Sequence, residues 1–106
     1  MDFEIIKERV AAGNYFVGNH AFKHSLEEGF SPKLIAQAVL NGIVIEEYPD
    51  AERVLIRGRV KLEEEIQIYL HVVCEYSDEE LIYFVTAYIP DGKLWGKPPY
   101  QRRKKK

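Results

Sequence analysis

The chain has 106 residues, 46% of them hydrophobic, and a formal net charge of −2. That is one globular domain, outside the regime of intrinsic disorder, and its overall charge excludes a strong whole-surface attraction for nucleic acid. The single cysteine, Cys74, excludes an intramolecular disulfide and a cysteine-based zinc framework, so that with no signal-like start and no membrane-length apolar run the expectation is a soluble, cytoplasmic protein with no membrane partner.

Phe3, Ile6 and Val10 recur at helical spacing, with Asp2 placed to cap and Gly13-Asn14 placed to stop, which predicts an amphipathic first helix over residues 2–12. "NYFVG" reads either as a short strand or as an apolar link. A second helix runs from His20 to Glu28 and ends at Gly29. Ser31 and Pro32 form an N-cap and N1 pair ahead of "KLIAQAVLNG", a third helix ending at Gly42. Beyond Gly42 the segments "IVIEEY", "RVLIRGRV", "IQIYLHVVCEY" and "LIYFVTAYI" are rich in β-branched and aromatic residues and are separated by turn-forming or charged stretches. Helices followed by strands predict an α+β domain over residues 1–98, with N-terminal helices on one face of a four-stranded, or five-stranded, antiparallel sheet. Residues 99–106, ending in "QRRKKK", are expected to be a disordered basic tail.

Strand parity sorts the side chains. Arg53, Leu55, Arg57, Arg59 and Lys61 alternate with Val54, Ile56, Gly58 and Val60, and Gln67, Tyr69, His71 and Glu75 alternate with Ile66, Ile68, Leu70, Val72 and Cys74. A four-residue loop between Tyr76 and Leu81 would set His71 opposite Thr86 and Tyr69 opposite Tyr88, and Val60 facing Ile66 would add the arginines. The expected constellation is therefore Arg57, Arg59, Tyr69, His71, Thr86 and Tyr88 on one partly exposed face, with Val54, Ile56, Ile68, Leu70, Val72, Cys74, Tyr83 and Val85 packed against the helices. A histidine with that parity should be removable at little cost in stability. Its chemistry would be proton exchange near neutral pH, with Arg and Tyr stabilising a phosphate and its leaving group.

On the second helix, His20 and His24 lie four residues apart, facing away from Phe22 and Leu26. They read as a polar surface, as a non-metal site, or as two of three zinc ligands if His71 joined them. The H-E-x-x-H motif fails because residue 21 is Ala, so no resident metal and no cofactor are expected.

Taken in order, "HAFKHSLEEGFSPKLIAQAVLNGIVIEEYPD", "YLHVVCEY" and "FVTAYIPD" followed by Trp95 resemble the domain-of-unknown-function family 4258 over roughly residues 15 to 96. That family is similar to RelE- and BrnT-like toxins, which implies a RelE-like fold and a metal-independent ribonuclease chemistry. By position, the resemblance points to His20, His71, Thr86 and Tyr88 as catalytic residues. Arg57, Arg59, His24 and Tyr69 complete the expected site as substrate-binding residues. His24 stands where the family usually carries Arg, and Phe30 follows Gly29 where the family has Ile; a neutral imidazole holds phosphate less well than a guanidinium. Two functions follow. One is an RNA-binding or RNA-cleaving toxin-like domain with RNA as substrate and an antitoxin-like protein as partner; the other is a non-catalytic binding or regulatory module that keeps the fold.

Overall fold

The computed structural model describes residues 1–64 and 66–90; Trp95 and the basic tail, residues 99–106, lie outside the described residues. Helix α1 spans Phe3–Ala11, with the Glu4 N–H donating to Asp2 Oδ1 at 3.0 Å as its N-cap bond. Helix α2 spans Asn19–Glu28 and stops at Gly29, whose φ of 77° is the left-handed conformation that a side chain would resist. Helix α3 spans Pro32–Leu40, and the Lys33 N–H donates to Ser31 Oγ at 3.1 Å.

Five strands follow the order β1-β5-β4-β3-β2: β1 Tyr15–Val17, β2 Ile43–Tyr48, β3 Arg53–Glu63, β4 Ile66–Glu75 and β5 Ile82–Tyr88. Strands β2 to β5 form an antiparallel meander, as the sequence predicts. The whole sheet is mixed, however. "YFV" is a strand, and it pairs in parallel with β5 through Tyr15 to Ile82 and Val17 to Phe84. Because β1 joins the free edge of the last strand and the chain then returns through α2 and α3, its direction is set by that crossover and not by a hairpin. The expected all-antiparallel sheet is corrected accordingly.

One face of the sheet and the helices enclose the main core. Ile6 and Val10 of α1, Ala21 of α2, and Ile35, Ala38 and Val39 of α3 pack with Val54, Ile56, Leu70, Val72, Cys74, Ile82, Phe84 and Ala87. Helix α3 approaches β3 so closely that a Cβ on Gly58 would lie 1.9 Å from the Ala38 carbonyl oxygen, so only glycine permits this helix–strand distance.

Two expectations about the core fail. Tyr83 and Val85 do not join it, because β5 carries a bulge: Val73 pairs with Thr86 and Cys74 with Phe84, which leaves Val85 without an opposite residue. The extra residue reverses parity along β5, turning Ile82 and Phe84 inward before the bulge and Ala87 inward after it. Phe84 then stacks on Tyr15 at 4.9 Å between ring centroids. On α2 the inward residues are Ala21 and Ser25, while Phe22 and Leu26, the sequence's apolar stripe, are exposed. Among the described residues no helix is long and apolar enough to cross a membrane.

Candidate functional site

The sheet face turned away from the main core is built in rows. Across Val60 and Ile68, β3 and β4 sit two residues from the expected register, whereas β4 and β5 are offset by one residue beside their turn, where Cys74 faces Phe84, and by two beyond the Val85 bulge, where His71 faces Tyr88. A shift of two conserves side-chain parity, so the expected face survives with different neighbours. The central row is Ile43, Arg57, His71 and Tyr88, and the next toward the β3–β4 turn holds Arg59 beside Tyr69. Thr86 is one row farther in the other direction, opposite Val73 and not opposite His71. Tyr69 likewise has Arg59 as its partner and is not paired with Tyr88.

The central row is compact. His71 Nδ1 lies 3.3 Å from the Tyr88 hydroxyl, with the two rings edge to face at 5.3 Å. The Arg57 guanidinium carbon is 4.7 Å from the centre of the Tyr69 ring, and that of Arg59 is 5.5 Å from the same ring, so one phenol ring carries two cations against its electron-rich surface. Arg59 is exposed, whereas Arg57, Tyr69, Thr86 and Tyr88 are half-buried.

His71 departs from expectation. It is 0% exposed, as deeply buried as Leu70 beside it, although its parity is that of the outer face. Leu55, also of outer parity, is 1% exposed and stands outside the main core cluster. The middle of this face is therefore a second small buried region, and the sequence reading of it as a half-exposed surface is corrected. A histidine placed there does not itself meet a ligand at the surface; its hydrogen bond to the Tyr88 hydroxyl links it to a half-buried group that can.

Where the face passes the end of α3, Arg59, Lys61 and Gln67 join Gln37, Asn41 and Val60 around a cleft of about 240 Å³. It forms because β2 pairs with β3 only as far as Arg57, leaving the rest of that β3 edge without a β2 partner. Gln37, Asn41 and Gln67 are absent from the sequence-derived site, since nothing in the parity of one strand reports where a distant helix ends. At the opposite end of the face Arg53 donates to Glu75 at 2.9 Å, and Ser77 Oγ donates to the other carboxylate oxygen at 2.9 Å. The Ser77 hydrogen bond and then the Arg53 guanidinium hold the Glu75 carboxyl below its ordinary pKa. Cys74 has core parity and is fully buried, and burial pushes its thiol far above its ordinary pKa, so it is not a nucleophile.

His20 and His24 form a separate set. Their Nε2 atoms lie 3.1 Å apart on α2, each being the other's hydrogen-bond partner. The structure thus sets two contacting groups, Arg57–Tyr69–Arg59 and His71–Tyr88, in adjoining rows of one face, adds Thr86 to the same face one row away, and pairs His20 with His24 on α2. Among the described residues no group of three or more His, Cys, Asp or Glu side chains could hold a metal ion, so the three histidines do not make a joint zinc site.

A family model described as Domain of unknown function (DUF4258) matches residues 17–89, more than half of the chain and all of the sheet face just described. No curated protein and no solved structure matches the chain.

Proposed function

The chain belongs to the domain-of-unknown-function family DUF4258, and for this member we propose a toxin-like, RelE/BrnT-like domain that binds single-stranded RNA across the outer sheet face and cleaves it without a metal ion. The observation that carries this reading is the Arg57–Tyr69–Arg59 stack beside the His71–Tyr88 pair. Guanidinium groups held against a phenol ring provide both phosphate contacts and a platform on which a base can stack. An antitoxin-like protein covering the same face would silence it.

In the cleavage step Tyr88 is the residue that meets the RNA. With His71 in the tautomer whose Nδ1 accepts, the Tyr88 hydroxyl donates to it, and the phenol oxygen receives the ribose 2′-OH proton as its own proton passes to the imidazole; the 2′ oxygen bonds to phosphorus as the P–O5′ bond breaks, leaving a 2′,3′-cyclic phosphate and a 5′ oxygen that takes its proton from water. His71 is then a positioning and proton-accepting residue that acts through Tyr88, and Arg57 and Arg59 hold the scissile phosphate. Burial of His71 favours the second reading, a non-catalytic module that keeps the binding face and cuts nothing.

The test is incubation of a mixed single-stranded RNA pool with the full chain in chelator, beside Tyr88→Phe and Arg59→Ala. Cleavage that Tyr88→Phe lowers by about 10²-fold, the usual range for losing an acid or base, supports the catalytic reading. Binding without cleavage selects the non-catalytic module. If the protein neither binds nor cuts any RNA in the pool, both forms of the reading fail.

A further inference from the structure

We propose that His20 and His24 form a two-point site for an imidazole-seeking divalent transition cation of the zinc, nickel or copper class. Of the chain's three histidines and one cysteine, His71 and Cys74 are fully buried. The two remaining imidazoles stand one helical turn apart on α2, His20 exposed and His24 half-buried, and they converge. Their rings meet edge to face with centroids 4.5 Å apart, and the Nε2 atoms, the ones farthest from the backbone, approach to 3.1 Å.

That separation matches a metal bite. With metal–nitrogen bonds of about 2.05 Å, two nitrogens 3.1 Å apart subtend about 100° at the ion, between the octahedral and tetrahedral angles. One ion at that apex accepts a lone pair from each Nε2 while each Nδ1 keeps its hydrogen. The remaining coordination positions are open to water or to a donor from a second molecule. Neutral imidazole ligands and the absence of a carboxylate in the set select zinc, nickel and copper over magnesium and calcium. Of the acids that follow on the same helix, Glu27 pairs with Lys23 at 3.9 Å and Glu28 accepts from the Ile89 N–H at 3.1 Å.

The site also has a structural consequence. Helix α2 begins at Gly18 without a side-chain cap bond and carries no acid in its first turn, so its N-terminal half lacks the usual local supports. A cation that bridges residues four apart fastens that first turn, and binding to the folded state alone raises the melting temperature by mass action.

The sequence reading expects no resident metal; the site inferred here rests on the side-chain convergence and is independent of the RNA reading, whose assays run in chelator. The experiment is titration of the full chain, without an affinity tag, with zinc chloride and nickel chloride by calorimetry and thermal melting, with magnesium chloride as control. The expected result is saturation at one ion per chain, or per two chains if a second copy completes the coordination, with a rise in melting temperature and no response to magnesium. Loss of an outer-shell partner alone costs about 10–100-fold in metal affinity, so His20→Ala or His24→Gln, each removing a ligand, should lower it by at least that much. Nitrogen-15 shifts of the wild-type imidazoles identify the coordinating Nε2 atoms without any variant. No saturable zinc or nickel binding in the wild type, or binding that both variants retain, would overturn the proposal.

Discussion

The two faces of the sheet are buried by different means. On the helix-covered face, Val54, Ile56, Leu70, Val72 and Phe84 are apolar side chains enclosed by other apolar side chains. Removing each of them from water stabilises the fold by about 1.5–3 kcal/mol, and that face needs no further explanation. On the outer face Leu55 and His71 are as inaccessible as the core, yet the neighbours that the register gives them on that face include Arg57, Tyr69, Tyr88 and Thr86 beside Val73. Enclosing polar groups there gains less and requires a hydrogen bond for each of them. Strand parity accounts for the first face on β3 and β4, and on β5 once the bulge at Val85 is counted. The second carries polar chemistry that stability alone does not call for, which is the reason to place function there.

The largest effect expected from breaking this contrast lies on the core face. Gly58→Val places side-chain atoms inside the Ala38 backbone and forces α3 off β3. Overpacking usually costs about 1–3 kcal/mol, and against backbone the cost should exceed that range. Chemical denaturation should show a variant largely unfolded in water or with its midpoint sharply lowered.

The next effect is on the outer face. Outer-face parity would make His71→Ala nearly neutral, but observed burial reverses that expectation. Losing a fully enclosed ring and the partner of the Tyr88 hydroxyl should cost about 2–4 kcal/mol, by analogy with other large-to-small core changes. A melting temperature unchanged in His71→Ala would mean that this region is not packed as described. For this reason Tyr88→Phe, which removes one oxygen, is the cleaner probe of chemistry.

A smaller effect distinguishes binding from folding. Arg59 is exposed, so Arg59→Ala should leave stability within about 0.5 kcal/mol. It should nevertheless weaken RNA binding and reduce the salt dependence of the binding constant by about one phosphate contact. Equal RNA affinity and salt slope in the variant would remove Arg59 from the interface.

The smallest is electrostatic. Hydrogen bonds from Ser77 and Arg53 lower the Glu75 pKa in the folded chain, so the carboxylate contributes stability above its unfolded pKa and that contribution is lost as pH falls through the folded value. Glu75→Gln should therefore cost less than about 1 kcal/mol at neutral pH, the range for partly exposed pairs, and nothing at strongly acidic pH. A stability difference that persists unchanged into acid would assign the effect to packing.

Much of the fold was legible in the sequence because local physics decides it. Asp2, Gly29, Ser31 and Pro32 punctuate the helices where their chemistry requires, and β-branched runs mark the strands. The shared face of Arg57, Arg59, Tyr69 and His71 was legible because alternation on β3 and β4 survives an even register shift, whereas Thr86 and Tyr88 reach it because a one-residue offset at the β4–β5 turn and the Val85 bulge add up to two. The rest depended on long-range geometry. The Val85 bulge, the parallel pairing of β1, and the choice of Ala21 and Ser25 over Phe22 and Leu26 as the inward side of α2 follow from how elements meet. The burial of His71 and the contribution of Gln37 and Asn41 to the cleft belong to the same class, since neither leaves a periodic trace in its own segment.

If the proposed RNA site is the outer sheet face, nitrogen-15 and aromatic carbon-13 spectra recorded while single-stranded RNA is titrated into the full chain should show dose-dependent shifts at Arg57, Arg59, Tyr69 and Tyr88, with α1 and the inward residues of α3 unmoved. Shifts confined to the helices, or a face that stays silent while RNA binds elsewhere, would contradict that proposal.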